Sequence, residues 1–176
     1  MPQHFTASAF VTHAGRVLLI RHRRKGVWLP PGGHVEPDEA PAVAARREVF
    51  EETGLRTVIT SPCVPEGAVP PAAPRPEASL EIEVEPGHTH LDLVYFAIPA
   101  QGCDPAALRP NAEVAAFHWW SPAELDAGAA AAGGYGLPHN VALLALRALG
   151  ASDHPSQGTT ARPRGESGSV PSRHPS

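Results

Sequence analysis

Glu48, Glu51 and Glu52 stand at i, i+3 and i+4 of one apolar-patterned stretch. A helix over that stretch puts three carboxylates on one face within about one turn. Like charges at that spacing repel, so the cluster is best tolerated beside something positive. Hard divalent cations such as Mg²⁺ take oxygen ligands of this kind. A metal site is therefore the first expectation, with Mg²⁺ as the cation and Mn²⁺ as its substitute.

The flanking residues build the helix that carries them. Asp38 is placed to cap it, and Pro41 falls in the first turn, where a missing N–H costs little. Ala42, Val43, Ala44, Ala45 and Val49 supply helix formers and a narrow apolar face, and Gly54 stops the helix where a left-handed residue is wanted. Upstream, Leu29-Pro30-Pro31-Gly32-Gly33 is a rigid approach ending in two residues without side chains, which lets backbone groups come close to a ligand. The expected unit is loop, helix, loop.

Gly33, five residues, Glu39, seven residues, then Arg47-Glu48-Val49-Phe50-Glu51-Glu52-Thr53-Gly54-Leu55 resembles the complete signature box of the Nudix (MutT-like) hydrolases, with every fixed position present. A merely solvated acidic helix face would account for the charges but not for the Gly-Gly entry, Glu39 or the Arg47-Glu48 pair. The resemblance covers roughly residues 5–150 and implies an α/β fold, an α/β/α sandwich around a mixed β-sheet. It further implies Mg²⁺ ligands at Glu48, Glu51 and Glu52, with the Gly32 carbonyl as a further donor, beneath a bound diphosphate. Glu48 and Glu113 are the two matching candidates for general base, in that order. By the same matching, Arg47 orients a box carboxylate through a bidentate pair, and Glu39 stabilises the loop rather than binding metal.

The remaining elements follow from pattern. Residues 5–12 and 16–23 read as a hairpin about His13-Ala14-Gly15, with Val17-Leu18-Leu19-Ile20 as a strand buried on both faces. Arg21-His22-Arg23-Arg24-Lys25 is a basic cluster, either a phosphate grip through Arg21 and Arg23 or a solvated turn. Trp28 reads as packing under the loop in preference to stacking on a base. Residues 56–60 suit a short strand. The proline-dense stretch 61–76 suits a long mobile loop, in which Pro71 falls where ADP-ribose pyrophosphatases of the family carry a proline.

Residues 80–84 and 90–98 suggest a second hairpin. His88, His90 and Asp92 alternate along it, and a solvent- or cleft-facing sheet surface is preferred to a metal site there, the carboxylate helix being the better hard-cation site. The same caution applies to Glu81, Glu83 and Glu85. Residues 117–125 read as a strand and a short helix capped by Ser121 and Pro122. A final helix opens at Leu137-Pro138-His139-Asn140 and runs to about Leu149. Asn140 resembles the purine-reading asparagine of MutT, although helix capping is the preferred account. The domain thus spans 1–150, and 151–176, rich in Ser, Pro, Gly, Arg and His, is expected to be a disordered tail.

Composition bounds the rest. The 176 residues are 42% hydrophobic and 18% charged, enough for one domain with a real core. A net charge of −4 argues against a broad nucleic-acid or anionic-membrane surface and for a small-molecule nucleotide partner. Cys63 and Cys103 lack a metal or redox spacing, and no leader or membrane span is visible, so a cytoplasmic protein is expected, its oligomeric state open to a homodimer. The implied activity is cleavage of the pyrophosphate bond of a nucleoside diphosphate linked to X, either a nucleoside triphosphate or an ADP-ribose or nucleotide-sugar type, releasing a nucleoside monophosphate. A Nudix-fold sensor that binds nucleotide without turnover is the alternative, and RNA decapping is disfavoured by the acidic balance.

Overall fold

A computed structural model describes residues 3–62, 73–130 and 136–153. Its elements are β1 (Gln3–His13), β2 (Arg16–His22), β3 (Trp28–Leu29), β4 (Gly32–His34), α1 (Pro41–Thr53), β5 (Thr57–Ile59), β6 (Ala78–Glu85), β7 (His88–Pro99), β8 (Val114–Trp120), α2 (Pro122–Ala130) and α3 (His139–Asp153). The first hairpin closes on Ala14 and Gly15, both at positive φ (48° and 71°), the twist that lets a two-residue turn join right-twisted strands.

The strands form a mixed eight-stranded sheet whose main path is β3-β2-β1-β7-β5, with β4 also on β1, β6 on β7 and β8 on β2. Among the described residues only β1 and β7 run parallel, with His4 opposite His90 and Phe10 opposite Phe96. Side chains alternate across the sheet. Ala7, Ala9, Val11, Leu18, Tyr95 and Ala97 meet Ala42, Ala45 and Val49 of α1 on one face. Phe10, Val17, Leu19, Val94 and Phe96 meet Leu125 of α2 and Val141 and Ala145 of α3 on the other. Two apolar layers covered by helices on opposite sides make an α/β/α sandwich. Among the described residues no helix is long and apolar enough to cross a membrane.

Several local expectations are corrected. Asp38 does not cap α1: the N-cap is Ala40, without a side-chain hydrogen bond, and Asp38 sits in the preceding turn at φ 62°. Pro41 begins the helix, and Gly54 ends it at φ 73° with its N–H donating to the Phe50 carbonyl. The approach to α1 is not plain loop, since Trp28–Leu29 and Gly32–His34 pair as β3 and β4 with β2 and β1. Helix α3 passes through Gly150 to Asp153, and Ser152 Oγ lies 2.6 Å from Thr12 Oγ1, which ties its end to β1. Cys63, Pro71, most of the proline-dense stretch and residues 154–176 lie outside the described residues.

Candidate active site

The period of α1 decides how each carboxylate is held. Ala42, Ala45 and Val49 form the stripe facing the sheet, and Glu52 falls on the same stripe, three residues past Val49. It is 4% exposed. Its Oε2 accepts a hydrogen bond from the Gly32 amide at 3.0 Å, which ties the end of the helix to β4. Burial, followed by repulsion from Glu48, Glu113 and Glu51, pushes its carboxyl up to about 8 despite that bond. Glu48 lies one turn back, largely covered, and burial raises its pKa as well. Glu51 is at the rim, about half exposed.

Both glycines of the approach are dictated by contact. A Cβ on Gly33 would lie 2.5 Å from the Glu48 carboxyl carbon and Oε1. One on Gly32 would lie 2.7 Å from the Ala7 carbonyl oxygen and the Ser8 Cα. Only a residue without a side chain lets β4 pass between β1 and the carboxylates.

Arg47 is the hub. Its Nε and Nη2 donate to Glu39 Oε1 and Oε2, each at 2.9 Å, as a bidentate pair. The second Nη2 hydrogen goes to the His34 carbonyl at 2.9 Å. Nη1 donates to Glu48 Oε1 at 2.8 Å and to Glu51 Oε2 at 3.2 Å. All five guanidinium N–H groups are thus engaged, and the pKa rises further, first through the Glu39 hydrogen bond. The bidentate partner is Glu39, outside the carboxylate cluster, while Glu48 and Glu51 receive one bond each. Glu39 also accepts from the Glu36 amide, and Arg47 holds its carboxyl below the usual range.

The other sequence candidates divide. Glu113 is brought to the cluster: it adds repulsion to both Glu48 and Glu52, its side chain is 70% exposed, and its Oε2 lies 3.9 Å from His22 Nε2. Arg23 is engaged with backbone carbonyls. Its Nε and Nη2 donate to the carbonyls of Ala112 and Val114, each at 3.0 Å, and its backbone N–H donates to the Glu113 carbonyl at 2.7 Å, so it braces the loop that carries Glu113. Arg21 is exposed, and alternation along β2 sets it on the face of Val17 and Leu19, away from α1. Asn140 is an exposed second residue of α3, past the capping position. Trp28 packs edge-on against Trp120 at 5.4 Å. The brace from Arg23 and the Arg47 bond to the His34 carbonyl were not visible in the sequence, because both acceptors are backbone atoms and carry no residue signature.

The donor set fits a hard cation. Carboxylates crowded until one holds its proton near neutrality gain most from a divalent charge between them. Glu48, Glu51 and Glu52 are the side chains that would hold it.

Residues 2–139 match the family model described as NUDIX domain. The chain is 45% identical over 53 residues to a "MutT-like protein" of Streptomyces ambofaciens, covering 30% of this chain and 34% of that one. It is 38% identical over 100 residues to "m7GpppN-mRNA hydrolase NUDT17" of Bos taurus, covering 54% and 32%. The chain therefore spans about a third of the length of these curated relatives. A NUDIX-family hydrolase from Clostridium perfringens superposes with a TM-score of 0.71 at 28% identity, covering 85% of this chain and 98% of that one. With the family model spanning most of its length and the box geometry in place, this chain belongs to the Nudix family.

Proposed function

We propose that the protein is a Mg²⁺-dependent Nudix hydrolase that cleaves the pyrophosphate bond of a nucleoside diphosphate linked to X, releasing a nucleoside monophosphate and phosphate-X. Nucleoside triphosphates and ADP-ribose or nucleotide-sugar types are the substrate classes. Mn²⁺ substitutes for Mg²⁺. The observation that carries the proposal is the junction of Glu48, Glu51 and Glu52 with Arg47, whose five donors are consumed in holding Glu39, Glu48, Glu51 and the β4 backbone in place.

The residues divide the work by their environments. A diphosphate repels a nucleophile until its charge is screened; bound Mg²⁺ supplies that screening and lowers the pKa of a water. Glu52, anchored on the Gly32 amide, and Glu48, seated on Gly33, present oxygens from fixed positions, so little reorganisation is needed when substrate arrives. Glu51 completes the set from the solvent side. Arg47 positions Glu48 and Glu51 and does not meet the substrate. For accepting the water's proton, Glu48 is favoured by its raised pKa, and Glu113, exposed on its braced loop, is the second candidate. Glu48→Gln and Glu113→Gln separate them by which one removes the acidic limb of the pH–rate profile, the limb along which a general base must lose its proton.

The test is a phosphate-release screen coupled to phosphatase and pyrophosphatase, over nucleotides, dinucleotides and sugar nucleotides with Mg²⁺, with Glu52→Gln as control. Turnover that the control abolishes is the expected result. Nucleotide binding without turnover across the panel would sink the hydrolase proposal in favour of a sensor.

A further inference from the structure

Four of the ten histidines, separated in sequence, meet on the sheet face opposite α1. Parallel pairing sets His4 of β1 beside His90 of β7, and antiparallel pairing sets His34 of β4 opposite Thr6, one step along the same face. The metal-binding nitrogens of His4, His34 and His90 all lie within 4.8 Å of one another. His34 and His90 have ring centroids 4.9 Å apart. The fourth imidazole, His88, stands 4.9 Å from His4 and 5.0 Å from His90. Its Nε2 is buried without a hydrogen-bond partner among the described residues.

Packing of rings alone would leave that nitrogen at a net cost, because a buried donor or acceptor without a partner loses its hydration for nothing. The trio of ligand atoms contains no carboxylate. Asp92, the next residue inward on this face, is occupied, accepting from Thr6 Oγ1 at 3.0 Å and Ser8 Oγ at 2.7 Å. A set of imidazole nitrogens suits borderline cations and not Mg²⁺. Zn–N bonds of about 2.0–2.1 Å put tetrahedral donors about 3.4 Å apart, so the observed spread closes with ring movements on the order of 1 Å. His4 and His34 are exposed and free to make them, and His90 is partly covered.

We propose that His4, His34 and His90, with His88 as the fourth imidazole, bind a divalent transition cation, Zn²⁺ first, at a site separate from the carboxylate cluster. The cation cross-links β1, β4 and β7. Because His34 also supplies the carbonyl that Arg47 holds, the cross-link braces the strand that carries the Gly33 contact.

The test is calorimetric titration of ZnCl₂ into chelator-stripped full-length protein, with MgCl₂ in excess to occupy the carboxylates. One equivalent is expected, with a Kd of about 1 μM or tighter. The double variant His4→Gln/His90→Gln weakens it by about 100-fold or more, whereas Glu52→Gln retains it. Absence of Zn²⁺ binding, binding indifferent to the double variant, or loss in Glu52→Gln would overturn the site. Co²⁺ added to the unaltered protein gives a readout that no variant's folding can obscure. An intense tetrahedral visible spectrum in excess Mg²⁺ supports the site, and a weak octahedral one refutes it.

Discussion

Strand β4 is three residues long, and its two faces carry opposite chemistry. Toward α1, Gly33 meets the largely covered carboxylate of Glu48, locked by one guanidinium. Toward the other layer, His34 meets imidazoles and no acid in the ligand-atom group. The first face is dense in charge and hydrogen bonds, and the second, among the described residues, leaves a buried imidazole nitrogen over. On the two proposals made above, donor hardness would sort cations across a single strand, oxygen ligands for Mg²⁺ on one side and nitrogen ligands for a transition ion on the other. The contrast also shows what rigidity requires. The carboxylates are held by bonds already made, while among the described residues the His88 Nε2 has no such partner.

The largest expected effect breaks the acidic face. Glu52→Gln keeps the shape and the Gly32 contact but removes a charge, and kcat should fall roughly 10²–10³-fold with the folded signal intact. Steady-state kinetics beside circular dichroism checks both halves. Arg47→Lys comes next. One ammonium cannot replace a planar fork bonded at five points, so Glu48 and Glu51 lose their common anchor. A drop of about 10–100-fold in kcat, with KM changed far less, is expected if Arg47 acts only by positioning.

The glycines sharpen the same comparison. Gly33→Ala collides with the end of the Glu48 side chain, which can swing aside, so stability should fall by only about 1 kcal/mol while activity falls with the displaced carboxylate. Gly32→Ala collides with the backbone of β1, which cannot swing, and should cost about 2–3 kcal/mol in denaturant unfolding. Equal stability losses in the two variants would contradict the view that Glu48, and not the strand, is the neighbour at Gly33.

How far the sequence foretold this depends on whether an interaction runs through side chains close in the chain. The helix, its Pro41 start and Gly54 stop, and the joint presence of Glu48, Glu51 and Glu52 were legible, because periodicity and capping are local. The two hairpins were legible from alternation about short turns. Asp38 was misread as a cap because its type fits one, whereas the chain needs it at positive φ in the preceding turn. The setting of Arg23 was not legible, because its partners are carbonyls some ninety residues away. The histidine convergence is half legible: His88 and His90 alternate in the sequence, but His4 and His34 join them only through the pairing of β1 with β7 and β4.

The acidic face should also show a linkage between pH and cation. Glu52 has its carboxyl raised from 4.5 to about 8 in the fold, so the folded state holds this proton more tightly than the unfolded chain. Its contribution to stability is fully present below 4.5 and is lost as pH rises through about 8. Mg²⁺ opposes that loss, because it favours the ionised carboxylate that burial disfavours. The rise in Tm on adding Mg²⁺ should therefore be small near pH 5 and grow toward pH 8. A cation at about 100 times its Kd adds about 2.7 kcal/mol, which for a domain of this size is roughly 5–10 °C. Glu52→Gln, neutral at every pH, should flatten the dependence. Melting curves with and without Mg²⁺ across this range decide it, and a Mg²⁺ increment that shrinks as pH rises would show that Glu52 does not face the cation.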